Sequence, residues 1–110
     1  MEDTRKTRNW SAIESSETLA GGGQKLVVSD EVETLKTSEA PELSEAQPQG
    51  INPRILILDL AITTGGIGGD VVEWVPVTFT KSIAPRQYDE VTVRGAISDP
   101  VSIKVVPVLS

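Results

Sequence analysis

Alternation between apolar and polar residues runs through the second half of the chain and constrains the fold more than any other feature. In "DVVEWVPVTFTKSI", Val75, Val77 and Phe79 occupy every second position. A period of two places alternate side chains on opposite faces of a strand. Pro76 lies within this run and has no N–H for a ladder hydrogen bond, which predicts an edge strand or a bulge.

The same alternation recurs towards the C-terminus. "DEVTVRGAI" places Val91 and Val93 on one face, and "PVSIKVVPVLS" shifts its apolar residues to the other face near Pro107, which predicts a bulge or a change of face. Turn residues separate these runs, and no helical period appears. Four or five short strands of this kind predict a mainly β fold, a small antiparallel β-sandwich or barrel over residues 54–110.

The most apolar run, "RILILDLAITT", contains a single carboxylate, Asp59. Alternation places Asp59 on the face that carries Ile55 and Ile57, opposite Leu56, Leu58 and Leu60. An unpaired carboxylate is costly to bury. We therefore expect Asp59 to meet solvent or an arginine such as Arg94.

The first half of the chain is acidic and poor in apolar residues. Residues 1–50 hold 14 residues of the set AVILMFWYC and a net charge of −5, whereas residues 51–110 hold 28 and a net charge of −1. A polar, acidic segment buries little surface. The composition predicts an extended, mostly irregular N-terminal arm over residues 1–37, a linker rich in proline and glutamate over residues 38–53, and the β-domain over residues 54–110.

Short helical turns are the expected structure within the arm, with one short strand at "QKLVVS". Ser11 and Glu14 have the spacing of a capping box, and the glycines at 21–23 would end the helix. Ser29 is suited to cap a second turn. An apolar face this thin needs a partner surface, because short isolated helices are marginal in water.

The chain contains no cysteine and no histidine. Disulfides, the usual zinc ligand sets and the Ser-His-Asp and Cys-His catalytic arrangements therefore cannot be built within it. No glycine cluster continues into the lysine and serine or threonine of a phosphate-binding loop. We expect a protein that is not an enzyme, with no cofactor and no small-molecule substrate.

Charge and hydropathy narrow the expected partners. The net charge is −6, which makes nucleic acid an unlikely partner, and no apolar run is long enough to cross a membrane. The chain opens with charged residues rather than a signal peptide, so we expect synthesis in a cytoplasm. A core of about 60 residues is marginal without disulfides or metals, which leaves contacts with other protein subunits as the expected support.

"GGIGGDVVE", residues 65–73, resembles the nonapeptide repeat of calcium-binding β-rolls. The resemblance covers nine residues and implies a calcium ligand at Asp70. A β-roll needs adjacent copies of the repeat, and this chain has one. The favoured interpretation is a glycine-rich connection between two strands, with Ile67 at its tip available to touch a neighbour.

These features predict a structural or assembly protein whose arm docks on neighbouring subunits, such as a capsid cement, decoration or connector protein of a virion. The alternative is an immunoglobulin-like or carbohydrate-binding β-module with a disordered tail. The expected docking residues of the assembly protein are Trp10, Ile13, Leu19, Val27, Leu35 and Ile67. The binding residues of the alternative are Trp74, Arg86, Gln87 and Tyr88.

Overall fold

The computed structural model describes residues 5–16, 24–35, 37–65, 69, 71–97 and 99–108. Over these residues the chain forms β-strands and no helix, which confirms the expected mainly β fold. In chain order the strands are β1 (Thr7–Ser16), β2 (Gln24–Thr34), β3 (Glu39–Glu45), β4 (Ile55–Thr64), β5 (Glu73–Ile83), β6 (Glu90–Gly95), β7 (Val101–Lys104) and β8 (Val106–Val108).

The described strands form two four-stranded sheets. Sheet A has the order β5-β2-β1-β8, and sheet B has the order β3-β4-β6-β7. The expected antiparallel pairing holds except at two places, because β1 pairs with β8 and β4 pairs with β6 in parallel. Parallel neighbours need a crossover. The crossover from β4 to β6 passes through β5, which belongs to sheet A.

Alternate residues of both sheets meet in one hydrophobic core. On β2 and β4 every second side chain is buried, as a strand with one covered face requires. The predicted inward faces of β4 and β6 are confirmed. The residues with no exposed surface include Leu26, Val28, Val32, Leu56, Leu58, Val91 and Val93.

Three other details follow the sequence. Pro76 is exposed on β5, which lies at the edge of sheet A. Asp59 is half-buried, and its Oδ1 accepts a hydrogen bond of 2.8 Å from Arg94 Nε. The predicted change of face near Pro107 is a change of sheet, because β7 belongs to sheet B and β8 to sheet A.

The described residues of the first half differ from the expected arm with helical turns, because β1 and β2 form the centre of sheet A. Ser11 does not cap a helix. Its Oγ lies 2.9 Å from Ser29 Oγ on the neighbouring strand. The inward positions of β2 include Asp30, which interrupts an otherwise apolar alternation and made this segment resemble a capped helical turn. Pairing with β5 along the whole of β2 outweighs that local preference.

The predicted linker also contributes to the sheets. β3 pairs with β4 from Glu39 to Glu45, although it contains Pro41. A proline is tolerated there because β3 is an edge strand of sheet B. Each sheet therefore combines strands from both halves of the chain, and residue 54 is not a boundary between the sheets.

Candidate functional site

Two loops lie side by side at one end of the sandwich. They are residues 35–38, between β2 and β3, and the glycine loop between β4 and β5, described at residues 65, 69, 71 and 72. Thr37 N–H donates to the carbonyl of Gly69 (3.0 Å), and Gly69 N–H donates to Thr37 Oγ1 (2.9 Å). Gly65 N–H donates to the carbonyl of Ser38. We call this region the glycine-loop end.

Exposed apolar side chains gather at the glycine-loop end. Leu35 is 42%, Val71 is 44% and Val72 is 62% exposed. Thr34 and Glu73 are the last pair of the ladder between β2 and β5, so Leu35 and Val72, which adjoin them in sequence, lie just beyond the same end of that ladder. Grouped apolar side chains at a surface are typical of a contact with another molecule.

The other expected docking residues divide between core and surface. Trp10 is half-buried against the core, and its indole N–H donates to Thr7 Oγ1 (2.9 Å). Ile13 is 38% exposed on sheet A and is flanked there by Val27 on β2 and Val106 on β8. Leu19 and Ile67 lie outside the described residues.

The calcium candidate Asp70 also lies outside the described residues. Within the described part of the chain, no group of three or more acidic side chains is close enough together to hold a metal ion.

A buried ion pair lies beside the exposed apolar group. Arg5 Nη2 donates to Glu39 Oε2 at 2.6 Å, and both side chains are nearly inaccessible to solvent. Glu39 Oε1 also accepts the N–H of Leu35 (2.8 Å). Arg5 N–H donates to the carbonyl of Ala96, so the segment before β1, a strand of sheet A, is tied to sheet B at this end.

Asp30 is a carboxylate inside the core. It lies between Val28 and Val32 on the inward face of β2 and is 3% exposed. Neither of its oxygens has a hydrogen-bond partner among the described residues. Burial, and to a smaller extent the negative charge of Glu31, raises the pKa of Asp30 to about 7. Asp30 is therefore a group that titrates near neutral pH inside the sandwich.

The opposite end of the sandwich carries two clefts that meet at Tyr88. We call this region, residues 46–54, 84–89 and 105–107 together with Glu14, the Tyr88 end. The first cleft has a volume of about 160 Å³ and is lined by Glu14, Arg86, Tyr88, Asp89, Val105 and Pro107. The second has a volume of about 300 Å³ and is lined by Gln49, Gly50, Ile51, Asn52, Pro53, Ile55, Gln87 and Tyr88.

The turn that precedes Tyr88 has an unusual backbone. Arg86 has a φ of 56°, in the left-handed region that non-glycine residues rarely adopt. Its N–H donates to Glu14 Oε2 (2.9 Å), and its carbonyl accepts from Arg54 Nη2 (3.2 Å). A buried carboxylate and a surface arginine thus hold the turn in a conformation that costs energy locally.

One ion pair lies at the Tyr88 end and a second lies beside it. Arg54 donates to both oxygens of Asp89, which raises the pKa of Arg54 and lowers the pKa of Asp89. Lys81 Nζ donates to Glu45 Oε1 (2.6 Å) and to Tyr88 Oη (3.3 Å). The bond to Glu45 is the main reason that the pKa of Lys81 is raised.

The structure brings together three of the four residues expected to bind in the alternative module. Arg86, Gln87 and Tyr88 border the clefts, whereas Trp74 lies at the other end of β5 with the guanidinium of Arg8 4.0 Å from the centre of its ring. The side-chain amide of Gln49 holds the loop between β3 and β4 in place. It donates to the carbonyls of Ala46 and Ile57 and accepts the N–H of Ile57.

Two carboxylates are paired with arginines in different parts of the sandwich. Asp59 is paired with Arg94 on sheet B, and Asp89 is paired with Arg54 at the Tyr88 end. Sequence reasoning missed Glu14 as a cleft residue. Glu14 is separated from Arg86 by 72 positions, and the two meet only because β1 lies beside the turn between β5 and β6.

No family model, no curated protein and no solved structure matches the chain. No helix among the described residues has the length and hydropathy needed to span a membrane.

Proposed function

We propose that the chain is a non-enzymatic structural protein that docks on neighbouring subunits of a large complex through its glycine-loop end. The observation that carries the proposal is the exposed group formed by Leu35, Val71 and Val72. The free energy of the system falls when a partner covers an apolar group that was exposed to water.

The described residues of the two loops beneath this group are hydrogen-bonded to each other in the isolated chain. The two hydrogen bonds between Thr37 and Gly69 join the loops, and the Leu35 N–H is fixed by Glu39. A surface that is already ordered loses less conformational entropy on binding. This organisation favours stable docking over a transient contact.

Sheet A offers a second contact surface, as a subunit with several neighbours requires. Val27, Ile13 and Val106 lie in register across β2, β1 and β8. Ile13 and Val106 are exposed, at 38% and 56%. We propose an assembly of the kind formed by capsid cement, decoration or connector proteins, with the chain made in the cytoplasm and then incorporated into a virion.

A matched pair of variants tests the docking surface. Leu35→Ser with Val72→Ser removes apolar surface at the glycine-loop end, and Ile51→Ser removes a fully exposed apolar side chain at the Tyr88 end. Each is co-expressed with the other proteins of its source, and its presence in particles is measured by sedimentation. We expect the double variant to be lost from particles and Ile51→Ser to be retained. Retention of the double variant at the wild-type level would refute the proposal.

A second candidate function is a binding module, immunoglobulin-like or carbohydrate-binding. The observation in its favour is that two clefts meet at Tyr88, with Arg86 and Gln87 on their walls. This function predicts a stable monomer whose binding of a soluble sugar is abolished by Tyr88→Ala. A monomer that binds no sugar in an oligosaccharide screen would count against it.

A further inference from the structure

The first cleft at the Tyr88 end has a carboxylate in its wall that is only partly satisfied. Glu14 is 5% exposed, and one of its oxygens, Oε2, accepts the N–H of Arg86. The other oxygen accepts no hydrogen bond from the described part of the chain. A buried carboxylate with a free acceptor gains from a cationic partner, because a charge removed from water is costly when it is left unpaired.

The remaining walls fit an organic cation better than a hydrated metal ion. Tyr88 contributes an aromatic ring, and Val105 and Pro107 contribute apolar surface. Aromatic faces attract ammonium and guanidinium groups, and apolar walls accommodate the carbon chain that carries them. A volume of about 160 Å³ admits the end of a lysine or arginine side chain.

Two carboxylates and one guanidinium line the cleft, and Lys81 Nζ lies 5.6 Å from the centre of the Tyr88 ring at its margin. Asp89 adds a second carboxylate to the wall, although Arg54 binds it. Arg86 is the one cationic residue that lines the cleft among the described residues. Its guanidinium makes no hydrogen bond there, because its contacts run through its N–H and its carbonyl. Glu14 is thus the deepest charge, and it is negative.

We infer that this cleft binds a primary ammonium or a guanidinium group, with Glu14 as its counter-ion and Tyr88 as its aromatic wall. A free amine and the side chain of a lysine or arginine on a partner protein share this chemistry. The inference does not depend on the proposed docking through the glycine-loop end, which lies at the opposite end of the strands.

Tyr88 provides a direct readout, because it is the only tyrosine of the 110 residues. The full chain is labelled at tyrosine, and its ring signals are followed by NMR during titration with butylammonium, methylguanidinium, the blocked tripeptide acetyl-Gly-Lys-Gly-amide, or neutral butanol. We expect saturable shifts with the cations and none with butanol. Tighter binding of the tripeptide than of butylammonium identifies a protein side chain as the source, and the reverse identifies a free amine.

Three variants locate the site. Glu14→Gln keeps an acceptor for the Arg86 N–H but removes the charge, and we expect affinity for butylammonium to fall about tenfold or more. Arg86→Gly suits the positive φ and removes the competing cation, and we expect affinity to rise about threefold. Asp59→Asn alters a paired carboxylate on sheet B and serves as the control with unchanged affinity.

Each outcome decides the inference. Absence of saturable shifts in the wild-type chain would overturn it, and so would equal affinity in the wild type and a folded Glu14→Gln variant. If Glu14→Gln fails to fold, Arg86→Gly still decides, because unchanged or weaker binding of butylammonium in that variant would mean that the charges of the cleft do not govern binding, which would overturn the inference.

Discussion

The two ends of the sandwich differ in how far their ion pairs are buried. At the glycine-loop end Leu35 and Val72 face solvent, while the ion pair of Arg5 and Glu39 is buried. At the Tyr88 end the charges of Arg54 and Asp89 face solvent and pair with each other. Exposed apolar surface and buried charge both raise the free energy of an isolated chain. The glycine-loop end is therefore stabilised when a partner covers its exposed apolar group.

Breaking the buried ion pair gives the largest expected effect on stability. Removal of one member takes away the counter-ion of a charge that is nearly inaccessible to solvent, which typically costs about 3–5 kcal/mol. We expect Arg5→Met to lower the free energy of unfolding by that amount, measured by urea denaturation. Arg54→Met breaks an exposed pair at the other end and is the control, for which we expect a midpoint close to the wild type. Equal losses in the two variants would remove the contrast between the ends.

Asp30 makes stability depend on pH. Its pKa is about 7 in the folded chain, compared with 3.8 for an aspartate carboxyl in water, so the folded state binds the proton more tightly than the unfolded state does. The contribution of Asp30 to the free energy of unfolding is therefore greatest below about pH 4. It falls as the pH rises and levels off above about pH 7. The total change is on the order of 4 kcal/mol.

Comparison with Asp30→Asn isolates this contribution, because asparagine cannot titrate. The difference between the unfolding free energies of wild type and variant should change steadily between pH 4 and pH 7. Asp59→Asn, at an exposed ion pair, should leave the wild-type slope intact. A difference between wild type and Asp30→Asn that stays constant over this range would show that Asp30 is ionised inside the fold.

Two glycines, one at each end of the sandwich, allow the effect of the same substitution to be compared. A Cβ on Gly95, which has a φ of 109°, would lie 2.5 Å from the carbonyl oxygen of Leu60. A Cβ on Gly50, at the Tyr88 end, would meet only the Cδ1 of the Ile57 side chain at 2.9 Å. We expect Gly95→Ala to cost about 2–3 kcal/mol and Gly50→Ala less than about 1 kcal/mol, measured by thermal unfolding. Similar costs at the two positions would contradict this difference in backbone packing.

The exposed apolar group should have the smallest effect on folding. Leu35→Ser with Val72→Ser removes side chains that are 42% and 62% exposed, so the unfolding free energy of the isolated chain should fall by no more than about 1 kcal/mol for each substitution. Urea denaturation of the double variant measures this. A loss of several kcal/mol would mean that the group belongs to the core and serves stability rather than docking.

Alternation predicted the strands of the second half because those strands place apolar residues at every second position, on the face that meets the core. The inward faces of Leu56 and Val91 and the pairing of Asp59 with Arg94 could be found in this way. The strand predicted at "QKLVVS" is the first part of β2, whereas β1 and the rest of β2 were missed because Glu14 and Asp30 occupy inward positions, where local patterns predict apolar residues. Their placement depends on pairing with strands far along the chain.

The candidate sites were less accessible to sequence reasoning for the same reason. Leu35 was expected to dock, yet its exposed neighbour Val72 becomes apparent only through the register of β2 and β5. The cleft residues Arg86 and Tyr88 were noticed as a loop, but their partner Glu14 comes from β1. Contacts between distant segments carry no local signal in a single sequence.

The native mass of the species recovered from its source tests the proposed role most directly. A chain of 11.8 kDa that docks through its glycine-loop end should be recovered in a particle many times that mass, with Leu35 and Val72 protected from solvent. Recovery of the chain as a monomer of 11.8 kDa, with both side chains open to solvent, would contradict the assembly role.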